Sequence, residues 1–400
     1  MEENSTNKQK HLGEKSFLIY IAFLGAFIPL STDAYLPALP QMVESLHTTM
    51  PMVNLTLVFF FIFYAIGSLF WGPISDRYGR KPVLLTGLII YTIGSIFCVL
   101  SSDVYMLIFF RILQSFGCGA ATSVALAIVK DVYTGNKRIR TLAIVQTIST
   151  TSPIVSPILG ALILQNFSWK AIFVLFSITG VVSILGTIFL EETIKQHSTG
   201  NVWQSLTRLR FVSQNKGFMF LLFTFSLLNI PFMFFISASA YIYVDGFGIS
   251  ETLYSYYFAA NAVFLLLGPI FYIQISKWIN NRAFIRIAYL VITISGLMVI
   301  SIGSLGPVAF CLALLPASLL GNALGAPRTN LLLEQVDKDT GAAASMMGCV
   351  LTLFGSIGMT LISIRFINTL LLLGSIYILV GVVSLILWDI LSKKSYIKYV

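Results

Sequence analysis

The chain has 400 residues, of which 57% are hydrophobic and 10% charged. A soluble domain carries roughly a quarter charged residues and under half apolar ones, so this chain cannot cover itself with polar surface and its solvent must be lipid. A formal net charge of +9 would suggest nucleic acid in a soluble protein, but the placement of the cations gives it a different meaning.

The N-terminal stretch MEENSTNKQKHLGEKS is polar and leads into a long apolar run without a small-residue cleavage site. The first helix is therefore expected to stay as a span rather than leave as a signal peptide. A helix needs about 20 apolar residues to cross a bilayer. Apolar runs predict spans at 16–39, 54–74, 82–101, 103–129, 140–165 and 169–190, and again at 217–243, 252–275, 283–305, 307–330, 341–363 and 368–391. This pattern predicts an all-α integral membrane protein of twelve transmembrane helices in two pseudo-symmetric six-helix bundles. Residues 1–190 form the N-terminal bundle, 191–216 a central cytosolic loop, and 217–400 the C-terminal bundle.

With the N-terminus placed in the cytosol, the loop cations fall on the inner side except Lys170 and Arg365, while Arg111 lies within a span. Basic loops stay cytosolic, so both termini are expected inside and the positive charge is a topology signal. The two halves also resemble each other. GPISDRYGRK follows the second span, and GPIFYIQISKWINNR ends the eighth. Two such halves point to a transporter with a site at mid-membrane.

Cys98, Cys118, Cys311 and Cys349 lie in apolar runs without CxxC spacing and read as small buried hydrophobes. His11, His47 and His197 lie outside the spans and form no metal constellation. No P-loop string occurs, so nucleotide-driven pumping by this chain is not expected.

The string GPISDRYGRKP at 72–82 resembles the signature loop of the major facilitator superfamily, with Gly72, Asp76, Arg77, Gly79, Arg80 and Lys81 in their usual places. The resemblance implies that Asp76, Arg80 and Asp131 latch the cytosolic side, Asp76 meeting the start of the eleventh helix near Thr340 and Gly341. A narrower resemblance rests on DAYLPALP at 33–40, RILQSFGCGAA at 111–121, SPIVSPILGALI at 152–163 and FSWKAIF at 167–173. These resemble the Bcr/CflA branch of drug:proton antiporters, which implies inner-membrane export. Pro153, Pro157 and Gly160 match the antiporter motif of exporters, with Ser156 and Ala161 in place of the usual Ala and Gly.

Asp33 and Arg111 are the ionisable residues well inside the first-half spans. A charge there costs about 2.5–3.5 kcal/mol on insertion scales, so its retention points to function. At ~1.5 Å per residue both sit about 12 Å below the outer surface, and they are expected to act together in proton coupling. Gln114, Ser115 and Cys118 share the Arg111 face and are expected to line the substrate cavity. Helical phase turns Tyr35 roughly away from Asp33, unless Pro37 bends that segment. The second-half amides Asn229, Asn261 and Asn322 are expected to bond helix to helix before they bond ligand.

The function expected is proton-coupled export of small lipophilic compounds by alternating access, with no cofactor beyond the proton gradient and no metal. The partners expected are the substrate, protons and the bilayer, with no nucleic acid, in a monomer of the bacterial cytoplasmic membrane. The alternatives are a dedicated exporter of a metabolite or metallophore, or an importer of the same fold. More remote is a membrane enzyme or receptor, for which neither a catalytic cluster nor a soluble domain is evident.

Overall fold

The structure is a computed structural model that describes residues 13–133, 135–194, 210–336, 340–362, 368–395 and 397. The chain divides into two compact units, Met1–Thr48 with Phe59–Ser205, and Thr49–Val58 with Leu206–Val400.

In the first unit α1 (Glu14–Gly25) and α2 (Phe27–Asp33) are followed by a 3-10 turn at Leu36–Ala38 and by α3 (Leu39–Ser45). Then come α4 (Met50–Tyr78), of which residues 50–58 count with the second unit, α5 (Arg80–Leu100), α6 (Val104–Val132), α7 (Gly135–Leu164) and α8 (Lys170–Phe189). The second unit contains α9 (Lys216–Ser226), α10 (Asn229–Ala240), a π-turn at Tyr241–Gly246, α11 (Glu251–Ile275) and α12 (Asn281–Ile302). It continues through α13 (Pro307–Ala323), α14 (Gly325–Glu334), α15 (Thr340–Leu361) and α16 (Thr369–Leu391).

Among the described residues ten helices are long and apolar enough to cross a membrane, and eleven if α1 and the segment Phe27–Ser45, bent by 42° from it, form one span. Helix α7 has 30 residues, and its Thr151–Leu164 portion is apolar. Helix starts are fixed by side chains. Asp103 accepts from the backbone N–H of Tyr105 and Met106 at 2.9 Å each, and Asn280 and Asn368 cap α12 and α16 in the same way. Each supplies an acceptor to a donor that has no partner inside its own helix.

Two of the predicted spans are interrupted near their middle by the same device. Helix α2 opens with Phe27-Ile28-Pro29 and α10 with Asn229-Ile230-Pro231. A proline has no N–H for the carbonyl four residues back. In the first unit that carbonyl belongs to Gly25, and it accepts instead from the Ser149 hydroxyl on α7 at 2.7 Å. In the second unit it belongs to Leu227, which accepts from Ile230 N at 3.0 Å. The neighbours repeat as well. Gly160 of α7 lies directly on the backbone of Ala34, and Gly358 of α15 directly on the backbone of Ile230, so that a Cβ at either would overlap a carbonyl oxygen. Each unit thus packs a helix glycine against the broken segment of its first span.

Polarity is inverted relative to a soluble protein. Phe109, Ile178 and Leu379 are more than half exposed, whereas Arg111, Gln114 and Ser95 are sealed inside the first unit. An apolar exterior suits lipid, and the buried polar groups mark where the site lies.

Candidate functional site

The first unit closes around the guanidinium of Arg111, which has no exposed surface. Its Nη1 donates to the Ser31 carbonyl at 3.1 Å and to Gln114 Oε1 at 2.6 Å. Three rings stand against it, with centroids at 4.2 Å for Phe60, 4.9 Å for Tyr35 and 5.7 Å for Phe173. Their π-faces attract a cation, by about 2 kcal/mol where water is excluded. Nε and Nη2 find no hydrogen-bond partner.

The network continues outward from there. Gln114 Nε2 donates to Ser95 Oγ at 2.7 Å, and Ser95 Oγ donates to the Tyr91 carbonyl at 2.8 Å. The hydroxyls of Tyr91 and Ser31 are 2.7 Å apart. Helices α2, α5 and α6 are thereby tied together by neutral groups around one positive charge.

Asp33 ends α2 and is buried, with Oδ1 accepting from the Thr32 hydroxyl at 3.0 Å. It forms no ion pair with Arg111. The equal depth read from the sequence is a statement about height alone, and at that height the guanidinium turns to Ser31 and the rings. Tyr35, two residues past Asp33, lies where the chain runs through Ala34 into the 3-10 segment, and its ring reaches Arg111. Phe60 and Phe173 carry no sequence signal that separates them from other phenylalanines. The residues expected to line the cavity are all buried. Gln114, Ser115 and Cys118 have no exposed surface, Gln114 being the partner of Arg111 and Ser115 donating to the Ile112 carbonyl at 2.8 Å.

Of the antiporter-motif residues, Pro153 and Pro157 lie within α7, and Gly160 meets the chain one residue after Asp33. The second-half amides join helices. Asn229 donates to the Leu351 carbonyl at 2.8 Å, and Asn322 to the Leu265 carbonyl at 2.6 Å. Asn261 accepts from Ser318 at 3.2 Å.

The signature loop forms a second cluster in the first unit. Arg80 pairs with Asp76 at 2.6 Å and with Asp131 at 2.8 Å, and also donates to Ser75 Oγ at 2.7 Å. Gly79 adopts a φ of +102°, a conformation that favours glycine, and this ends α4 and starts α5 one residue later. Glu192, which sequence reasoning missed, caps that start. Its Oε1 accepts from Arg80 N at 2.9 Å and its Oε2 from Lys81 N at 3.1 Å, an anion at a helix N-terminus. Lys81 Nζ donates to the Ile188 carbonyl at 2.7 Å. The Arg77 guanidinium stands 5.3 Å from the Tyr78 ring, and Gly72 has open space around it. The expected approach of Asp76 to Thr340 and Gly341 concerns side chains outside the described residues.

The profile of the Major Facilitator Superfamily matches residues 21–363, and the chain belongs to that superfamily. It is a multi-pass membrane transporter and not an enzyme. Among its relatives, a bicyclomycin resistance protein homolog of Haemophilus influenzae is 26% identical, over 86% of this chain and 88% of that one. A chloramphenicol resistance protein of Pseudomonas aeruginosa is 35% identical, over 44% of this chain and 43% of that one. These names agree with the resemblance of the first-half motifs to the drug-efflux branch. The crystal structure of a D-xylose-proton symporter aligns with a TM-score of 0.73 over 92% of this chain and 97% of that one, at 14% identity, a likeness of fold.

Proposed function

We propose that the protein is a proton-coupled exporter of small lipophilic compounds, working by alternating access as a twelve-span monomer of the bacterial cytoplasmic membrane with both termini in the cytosol. In this reading residues 1–190 and 217–400 are its two bundles and 191–216 the cytosolic loop between them. The observation that supports it best is the Arg111 site: a fully enclosed guanidinium with two donor nitrogens unmet, in an aromatic box against the broken first span that ends in Asp33. Buried charges are normally paired, so a cation left with unmet donors is a site prepared for an acceptor that comes and goes.

Asp33 is two residues from the carbonyl that holds Arg111, on a segment whose backbone is already interrupted. In the mechanism proposed, loss of the Asp33 proton creates a carboxylate that attracts the guanidinium, and re-protonation releases it. The shift repositions the segment from Ser31 to Tyr35 and couples proton passage to rearrangement around Gly160. Arg80 with Asp76, Asp131 and Glu192 would hold the cytosolic latch. No cofactor is needed, and the drug-resistance names of the relatives favour apolar cargo.

The test is accumulation of a panel of lipophilic drugs and dyes in pump-deficient cells expressing wild type, Asp33→Asn or Arg111→Gln, each with and without a protonophore. Reduced accumulation in wild type that disappears with the protonophore and in both variants is the expected result. Export that persists in Asp33→Asn would move the coupling site elsewhere, and no effect on any compound would remove the drug-exporter reading.

A further inference from the structure

The second unit holds a half-buried cation that the proton-coupling mechanism does not use. Arg328 stands on α14, just past the interruption at Leu324, where Pro327 leaves the Ala323 carbonyl without its helical donor. It borders a cavity of about 120 Å³ together with Asn229, Asn322, Phe232 and Tyr377. The Arg328 Nε is sealed from solvent and has no hydrogen-bond partner. Among the described residues no carboxylate forms an ion pair with Arg328, and Glu334, on the same helix, is bonded to Asn330. The sequence groups this arginine with the inner-side cations. The fold places it in the wall of a cavity.

The rest of the wall defines what that charge can meet. The amide nitrogens of Asn229 and Asn322 are committed to the carbonyls of Leu351 and Leu265, which fixes both side chains. Leu228, Leu265 and Ile292 make much of the remaining surface apolar. A guanidinium whose Nε is sealed without a partner is costly in such surroundings, and its planar fork of donors fits a carboxylate better than any neutral group. Size restricts the ligand further. At about 120 Å³ the cavity is smaller than the roughly 150 Å³ that encloses a whole benzene ring, but it is open on one side, so it holds an acid group and the atoms next to it while the rest of a small apolar body extends through the opening.

We propose that this cavity is a binding subsite for the anionic group of small aromatic or aliphatic acids, with Arg328 as counter-ion. The assignment rests on the exporter reading for its biological sense, whereas binding itself does not depend on proton coupling.

The probes are benzoate and benzamide, matched in shape and different in charge, titrated by ligand-observed NMR against the purified full-length protein in lipid nanodiscs. Benzoate is expected to bind about tenfold more tightly than benzamide, as a charge-assisted bidentate contact requires. Arg328→Gln should abolish the preference while leaving benzamide affinity unchanged, and Arg111→Gln should leave the preference intact. Should Arg328→Gln not fold, Arg328→Met gives the same reading, because it also removes the charge while keeping an unbranched side chain: a lost preference supports the subsite and a retained one overturns it. Equal affinities in wild type, no binding of benzoate, or a preference that survives Arg328→Gln also overturns it. Drug uptake into proteoliposomes under an imposed pH gradient separates the two readings. A benzoate preference without gradient-driven transport retires the exporter and keeps the subsite, while transport without the preference retires the subsite alone.

Discussion

Phe60 stands closer to the Arg111 guanidinium than Tyr35 or Phe173 does, at 4.2 Å, and is itself fully buried. Its π-face and its bulk can be separated. Phe60→Leu keeps an apolar side chain in the space and removes the quadrupole, so its effect should depend on whether a cation is present. In a double-mutant cycle with Arg111→Met, thermal unfolding of the purified protein should give a coupling energy of about 1–2 kcal/mol. A coupling near zero would mean that the ring only fills volume. Arg111, Gln114 and Asp33 were legible in the sequence because a polar residue within an apolar run stands out. Phe60 and Phe173 were not, being two of 32 phenylalanines whose relation to Arg111 exists only once distant helices pack. Tyr35 was read only against its neighbour Asp33, and its contact with Arg111 on a distant helix exists only once the helices pack. Glu192 offered nothing more specific than an acid at the end of a span, and its role depends on meeting the N-terminus of α5 over a hundred residues earlier.

Helix α7 packs a glycine against the first span just past the end of α2, and α15 packs one against the interruption of the first span of the second unit. The contact residues, Gly160 and Gly358, lie on backbone rather than on side chains, so neither neighbour can yield by changing rotamer. Alanine is the better helix former by about 1 kcal/mol. On propensity alone Gly160→Ala, Gly358→Ala and Gly72→Ala should all raise stability. Packing reverses the first two, where overfilling costs about 1–3 kcal/mol. Gly72 has open space and should keep its sign. Unfolding temperatures measured in detergent are expected to fall for Gly160→Ala and Gly358→Ala and to hold or rise for Gly72→Ala. A rise at all three would show that the close approach is relieved by small backbone shifts. The helices themselves were legible, since apolar runs and caps such as Asp103 bracket them. The interruptions were not, because 16–39 reads as one continuous apolar run. Pro29 is visible there, but the Ser149 hydroxyl that satisfies the freed Gly25 carbonyl is contributed by another helix.

Orientation belongs to the whole chain, because it is decided by the sum of many weak preferences. Each loop cation favours the cytosolic side, and moving one charge across a membrane potential of ~100 mV changes its energy by about 2.3 kcal/mol. With nearly all of the 25 Lys and Arg agreeing on one topology, the proposed orientation is expected to withstand any single charge substitution. Two engineered cysteines test this directly. Asn166 follows α7 and Lys393 follows α16, and both are exposed. The native Cys98, Cys118 and Cys311 are buried and contribute little background, so replacing the half-buried Cys349 by Ser suffices for a clean signal. A membrane-impermeant maleimide applied to intact cells should label Asn166→Cys and spare Lys393→Cys until the cells are opened. Labelling of Lys393→Cys in intact cells would place the C-terminus outside, which an even number of spans allows only if the N-terminus is outside too. Labelling of both positions in intact cells would instead break the twelve-span count itself, since the segment between them would then have to re-enter on the same side.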